Sequence, residues 1–408
     1  MRNRLHVVNA THVALAGEWR SVMTEVTLPQ GWAPYAVAGD PDGTLWTTIL
    51  DPPGLARITP DGVVRHGPFD GRPMLVAVAA DGAVWCTRGD DRLVRRDADG
   101  TYTVIETPAG SAPYGIAAAG NGGVWFTAPG QNRIGRATAA GDLSMIDLPI
   151  PDARAAMITA APDGSAWAAL NGAGALARVF GDAVEIVELP GGRAPAAPVG
   201  VSAGNAGVWY ADIAGGCVGL VEPSGAVRQV VFDDPACRPH AVAADPDGGC
   251  WVTLWGSGEL ARVTADGDVR LHRLPGEEPH GLWVANHAAT AEPVGSRAGD
   301  ATAGLVGSRA GDAAAGLVGS RAGEGTAGPV GSRVGDAAAG LVGSRVDEGT
   351  AGPVGSRAGD ATAGPVGSRA GDAKVEPVSF RPGSAAGDVV WVAMESGSLV
   401  AVDRRAAA

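Results

Sequence analysis

Residues 113–138 read PYGIAAAGNGGVWFTAPGQNRIGRAT, and this stretch decides the fold. A short apolar run follows a proline, then a Gly-rich turn, a second run led by Trp125, a polar turn, and a third run. Short apolar runs divided by Asn-Gly or Asp-Gly are a hairpin signal. The same order recurs along the chain. PDGTLW ends at Trp46, ADGAVW at Trp85, GNGGVW at Trp125, PDGSAW at Trp167, GNAGVW at Trp209, PDGGCW at Trp251 and GDVVW at Trp391. These tryptophans are 39, 40, 42, 42, 42 and 140 residues apart. A unit of about 40 residues with about four strands marks a β-propeller blade, which cannot bury its own faces alone and stacks into a ring. The expectation is an all-β, seven-bladed β-propeller.

The last interval exceeds a blade of 42 residues by 98, so blade seven carries an insert. A twelve-residue unit, as in LVGSRAGDAAAG, recurs there from Pro293 to Pro377, with no Phe, Trp or Tyr between 284 and 379. Such Gly/Ala/Ser-rich sequence buries too little apolar surface to offset its chain entropy, so it is expected to be disordered. The segment MTEVTLP, from Met23, resembles the strands that end other blades, whereas the last blade stops at LVAVD without one. The N-terminal strand is therefore expected to complete blade seven and pair two open edges. The organisation is an arm at 1–22, expected to be unstructured; blades one to six and the first strand of blade seven at 23–285; the low-complexity insert at 286–384; and the rest of blade seven at 385–408.

The full chain has 408 residues, with 31 Lys+Arg against 44 Asp+Glu and a net charge of −13. That balance argues against a nucleic-acid groove or an anionic membrane surface. No run approaches the ~18 apolar residues of a membrane span, and His and Asn interrupt the N-terminal apolar run of a would-be signal peptide. Cys86, Cys217, Cys237 and Cys250 have no CxxC spacing and read as reduced, buried thiols of a cytoplasmic protein. A closed ring has no obvious need of a partner chain, so a monomer is expected.

Aligning the start of each blade's inner strand gives Tyr35, Met74, Tyr114, Met157, Val199, His240 and His280 around one mouth of the channel. Blades six, seven and one are neighbours after closure, so His240, His280 and Tyr35 converge on one sector opposite a largely apolar one. Four residues after each blade Trp lie Leu50, Gly89, Pro129, Asn171, Ile213, Trp255 and Glu395, at strand ends that antiparallel pairing returns to the same mouth. Glu395 thus falls beside His280. Glu278, two residues before His280, leaves the same face if the chain is extended there. Each residue alone is more often structural than functional; five polar residues from three adjacent blades point to a site.

Two carboxylates without thiolates suit a hard cation such as Mg²⁺. A Zn²⁺ site on His240 and His280 is the weaker option, since no short His spacing is present. A histidine can act as a base near neutrality, and a metal can stabilise enolate-like charge. The same groups could activate water for ester or lactone hydrolysis, and residue types alone do not separate the two.

The elements PYAV, PHAV…CWVTLWGSGELARVT, EPHGL and WVAMES resemble the virginiamycin B lyase (streptogramin lyase) family. That resemblance implies a Mg²⁺-dependent carbon–oxygen lyase with His280 as proton acceptor, and Glu278 and Glu395 as magnesium ligands. His240 would contact substrate, Tyr35 would match a tyrosine at the cavity mouth, and Trp255 could stack on an aromatic group. The implied substrate is a type B streptogramin, a small cyclic depsipeptide antibiotic whose ester is opened by elimination, conferring resistance. The departures are the 115 residues between His280 and Glu395 and the irregular blades one, two and four. A propeller lactonase or esterase and a non-catalytic binding scaffold are the competing readings.

Overall fold

Each of the seven Asp-Gly or Gly-rich turns launches a strand led by tryptophan, and the computed structural model groups these strands into seven sheets. It describes residues 6–9, 23–62, 64–120, 122–285, 373–374, 388–405 and 407. Blade one runs outward as Pro34–Gly39, Leu45–Ile49, Gly54–Ile58 and Val64–Pro68, and blade six as Pro239–Ala244, Cys250–Leu254, Glu259–Val263 and Val269–Arg273. Blade seven is Pro279–Val284, Val389–Met394 and Ser398–Asp403, closed on its outer edge by Met23–Thr27. That closing strand runs antiparallel, from Met23 opposite Val402 to Thr27 opposite Ser398. The ring is thus sealed by joining strands from the two ends of the sequence.

The blade tryptophans are the wedges between sheets. Each second strand is buried on both faces, and each Trp packs into the hydrophobic cluster shared with the following blade. Trp46 joins Val76, Val84 and Cys86 of blade two; Trp251 joins Val390, Val392 and Val400 of blade seven; Trp391 joins Val37, Leu45 and Ile58 of blade one. The core is therefore a ring of seven interfaces. Three of the indole N–H groups are satisfied within their own repeat, Trp46 donating to Asp40 at 2.6 Å, Trp167 to Ser165 at 3.1 Å and Trp251 to Asp245 at 2.8 Å. Guanidinium groups from the third strands cover several of the rings, as Arg57 does Trp46 and Arg262 does Trp251.

A second repeated device ties neighbouring blades at the mouth. The threonine two residues after the blade Trp accepts the N–H of Ala36 (Thr48), Leu75 (Thr87), Gly115 (Thr127) and Ala241 (Thr253). Its hydroxyl then donates to the next blade's inner strand, at the carbonyls of Met74, Tyr114, Ala156 and His280. These bonds fix the ring of mouth positions and correct one of them. Blade four contributes Ala156, not Met157. The inner strand there carries a bulge between Ala155 and Ile158 that places both residues outside the paired register.

The arm expected to be unstructured supplies one strand, His6–Asn9, parallel to the outer strand Val227–Val231 of blade five. Ala373–Lys374, from the segment expected to be disordered, pairs with Val64–Pro68 of blade one. The rest of the arm and of the repeat insert lies outside the described residues. The insert leaves blade seven's pairing intact: Pro279 faces Met394 and Val284 faces Val390. All four cysteines are buried and free.

Candidate active site

His280 and its neighbours are assembled by backbone features of blade seven. Between Pro279 and Leu282 the inner strand bulges, freeing His280 from the ladder and aiming it into the channel mouth. Gly281 then lets this strand meet blade one at close range, since a Cβ there would lie 2.6 Å from the Cα of Ala36. That approach seats Tyr35 against His280, with ring centroids 4.6 Å apart. On the other side the rings of His240 and Trp255 lie 5.0 and 6.1 Å from His280.

Glu395 follows the second strand of blade seven and meets His280 directly, Nε2 to Oε2 at 2.8 Å. An ionised carboxylate there accepts from Nε2–H, so Nδ1 is the ring nitrogen left with a lone pair. The hydrogen bond from His280 holds the Glu395 carboxyl below the usual carboxylate range, burial opposes this, and electrostatic attraction to His280 and Arg72 adds to it. Burial, aided by the charge of His280, pushes His240 down to about 3, so it is a neutral imidazole at ordinary pH. Three buried nitrogens at this mouth have no protein partner: Nδ1 of His240, Nδ1 of His280 and Nε1 of Trp255. Buried polar atoms of this kind are costly unless something pairs with them, and here they face one sector.

The opposite sector is less apolar than the sequence pattern suggests. The hydroxyl of Tyr114, in blade three, lies 2.8 Å from that of Tyr35. Both phenols are pushed upward, chiefly by burial. Tyr114 therefore belongs to the constellation; its place at a mouth position was the signal, but counting it as apolar hid its hydroxyl.

Glu278 departs from its expected geometry. Its backbone is left-handed, with φ 55°, so the extended-chain argument for a shared face with His280 fails. Its carbonyl accepts the N–H of Glu395 at 3.3 Å, while its exposed side chain lines a cleft with Arg238, Trp255, Ser257 and Arg273. Among the described residues no three or more His, Cys, Asp or Glu side chains converge as a metal cluster. The donor chemistry still fits Mg²⁺. Two carboxylates on backbone-linked residues, with no thiolate beside them, are hard oxygen donors of the kind magnesium takes together with waters.

A closed seven-bladed propeller with a histidine–carboxylate pair in its mouth defines the class, and comparison with known proteins gives the family. The Virginiamycin B lyase family matches residues 21–295, and the chain belongs to that family. A virginiamycin B lyase of Nocardia farcinica is 34% identical over 219 residues, 53% of this chain and 75% of that one. A streptogramin B lyase structure is 28% identical with a TM-score of 0.61, covering 64% of this chain and 91% of its own. A catalytically inactive histidine-to-alanine variant of virginiamycin B lyase from Staphylococcus aureus, solved with quinupristin, is 27% identical with the same TM-score, covering 64% and 92%. Tyr35, His240, Trp255, Glu278 and His280 fall within the family match. Glu395 lies beyond it, and its place beside His280 rests on the strand pairing of blade seven.

Proposed function

We propose that this protein is a carbon–oxygen lyase that linearises type B streptogramins by eliminative opening of their ester, and so confers resistance to them. The observation that carries the proposal is the 2.8 Å contact of His280 with Glu395 in the channel mouth of a chain from this family. His280 is the base. With Nε2–H held by Glu395, Nδ1 takes the α-proton, and the imidazolium formed faces a carboxylate that remains ionised. Neutral His240 and the indole N–H of Trp255 offer partners to the amide and ester oxygens of a cyclic depsipeptide. Tyr35, held by Tyr114, packs on the ring of His280 and limits its rotation. Glu278 and Glu395 would hold a magnesium ion, which when bound supplies positive charge near the enolate-like charge.

The test is mass spectrometry of a type B streptogramin incubated with the purified protein, with Mg²⁺ or with EDTA. The expected result is a linear product of unchanged mass, formed with Mg²⁺ and not with EDTA. A product heavier by one water would make the protein a hydrolase, and an unaltered ring would remove the substrate assignment.

A further inference from the structure

Elimination makes one charged group that the intact ring lacks: a free carboxylate. The C–H bond breaks and its proton passes to His280; the electron pair becomes the new C=C bond; the C–O bond breaks and its pair leaves on the carboxylate. A cation placed for that oxygen would act mainly as charge develops, which raises turnover rather than ground-state binding.

The residue just before each inner strand stands at the rim of the mouth, and three of the seven are arginines: Arg72, Arg154 and Arg238. Blade seven has Glu278 there. Arg238, in blade six, is the one that shares a cleft with Trp255 and Glu278. This cleft, of about 480 Å³, is lined by Arg238, Trp255, Ser257, Arg273 and Glu278 among others. The Arg238 guanidinium sits 5.3 Å from the centre of the Trp255 ring, whose own centre is 6.1 Å from that of His280. Arg238 is exposed and makes no ion pair among the described residues, whereas Arg88, Arg95, Arg178, Arg262 and Arg404 are all paired with carboxylates. Its backbone is fixed, its carbonyl accepting the N–H of Trp255 at 3.1 Å. The indole Nε1 of Trp255 is buried without a partner. With the guanidinium over the indole, the arginine fork and this N–H are neighbouring donors, a pair suited to the two oxygens of one carboxylate, while Arg273 in the same cleft is tied to the Ser257 carbonyl.

We infer that Arg238, with Trp255 Nε1–H, receives the leaving carboxylate of the opened ester. This rests on the lyase reading above. The experiment uses the full-length protein and measures kcat and KM on a type B streptogramin. It also compares inhibition by the linear product with inhibition by the same product carrying a terminal carboxamide. The wild type should bind the carboxylate form more tightly than the amide. Arg238→Gln should abolish that preference and lower kcat by about 10- to 100-fold, with KM moving by no more than about twofold. Arg238→Lys should keep part of both, and Trp255→Phe, which removes only the N–H from an otherwise aromatic side chain, should weaken the preference. If Arg238→Gln lowers the melting temperature, the preference is read in Arg238→Lys instead. An Arg238 variant with unchanged preference and unchanged kcat overturns the inference and leaves the lyase reading standing. A wild type that does not open the ring overturns both.

Discussion

His280 touches Glu395 through Nε2 and meets Tyr35, His240 and Trp255 with its ring, so its chemistry is set by its neighbours. Replacing it by alanine should remove turnover while streptogramin still binds, measured by calorimetry alongside product formation. Glu395→Gln keeps the shape but not the charge that supports an imidazolium. Turnover and any Mg²⁺ stimulation should be lost with an unchanged circular dichroism spectrum; full activity would exclude Glu395 from the reaction. His240 gives a pH prediction. Its folded pKa of about 3 lies below the unfolded value of about 6.5. Between these values the unfolded chain binds the extra proton, so this contribution to stability is complete above about 6.5 and is lost as the pH falls toward 3. Burial, with Arg270 and Arg262, lowers His272 to about 4 and adds to the same trend. The melting temperature should thus fall on acidification from pH 7 to 4, less steeply in His240→Leu. Equal slopes would show that His240 does not ionise on unfolding.

The inner strands show what the sequence could and could not reveal about the site. The mouth register was legible because a proline precedes Tyr35, Met74, Tyr114, Val199, His240 and His280, and each lies at the start of an inner strand or, for Tyr114, two residues before it. Blade four has Ala155 in place of that proline, and there the count slipped by one, to Met157. Glu278 was misplaced for a different reason: a left-handed residue breaks the period-2 rule, and nothing in EEPH announces it. The threonine staples were overlooked, although WTT, WCT, WFT and WVT spell them out, because a hydroxyl in a buried strand reads as a minor substitution. Thr253 is the one that bears on the proposed function. It accepts from Ala241 and donates to the carbonyl of His280 at 3.2 Å, joining blade six to the strand that carries His280. Thr253→Val preserves shape but leaves a buried N–H and a carbonyl without this partner. It should cost about 1–3 kcal/mol of stability, and kcat should fall more than KM rises, because His280 shifts while the mouth stays open. A stability loss with unchanged kcat would reduce the staple to a purely structural tie.

At the scale of the whole ring, the proposed catalytic pair and the closure share blade seven, which is assembled from three separated parts of the chain: Met23–Thr27, Pro279–Val284, and the strands Val389–Met394 and Ser398–Asp403. A long insertion between the second and third parts would be expected to damage such a blade, yet the pairing runs from Pro279 opposite Met394 to Val284 opposite Val390. The reason is which end of the strands receives it. Apart from Ala373–Lys374, the residues between Ala285 and Asp388 lie outside the described chain; at this end of the strands the N–H of Ala285 bonds the carbonyl of Val389 at 2.9 Å. His280 and Glu395 occupy the opposite end. The entropy of closing a loop grows only with the logarithm of its length, so shortening this connection should change stability little. Deleting residues 290–376 leaves enough chain to join Ala285 to Asp388 and removes Ala373–Lys374, which among the described residues pairs with the outer strand of blade one. The deleted protein should keep kcat and KM within about twofold of the full chain, with a melting temperature changed by only a few degrees. A large loss of activity with the melting temperature preserved would mean that the insert reaches the mouth. A collapse of both would mean that blade seven needs the insert to close.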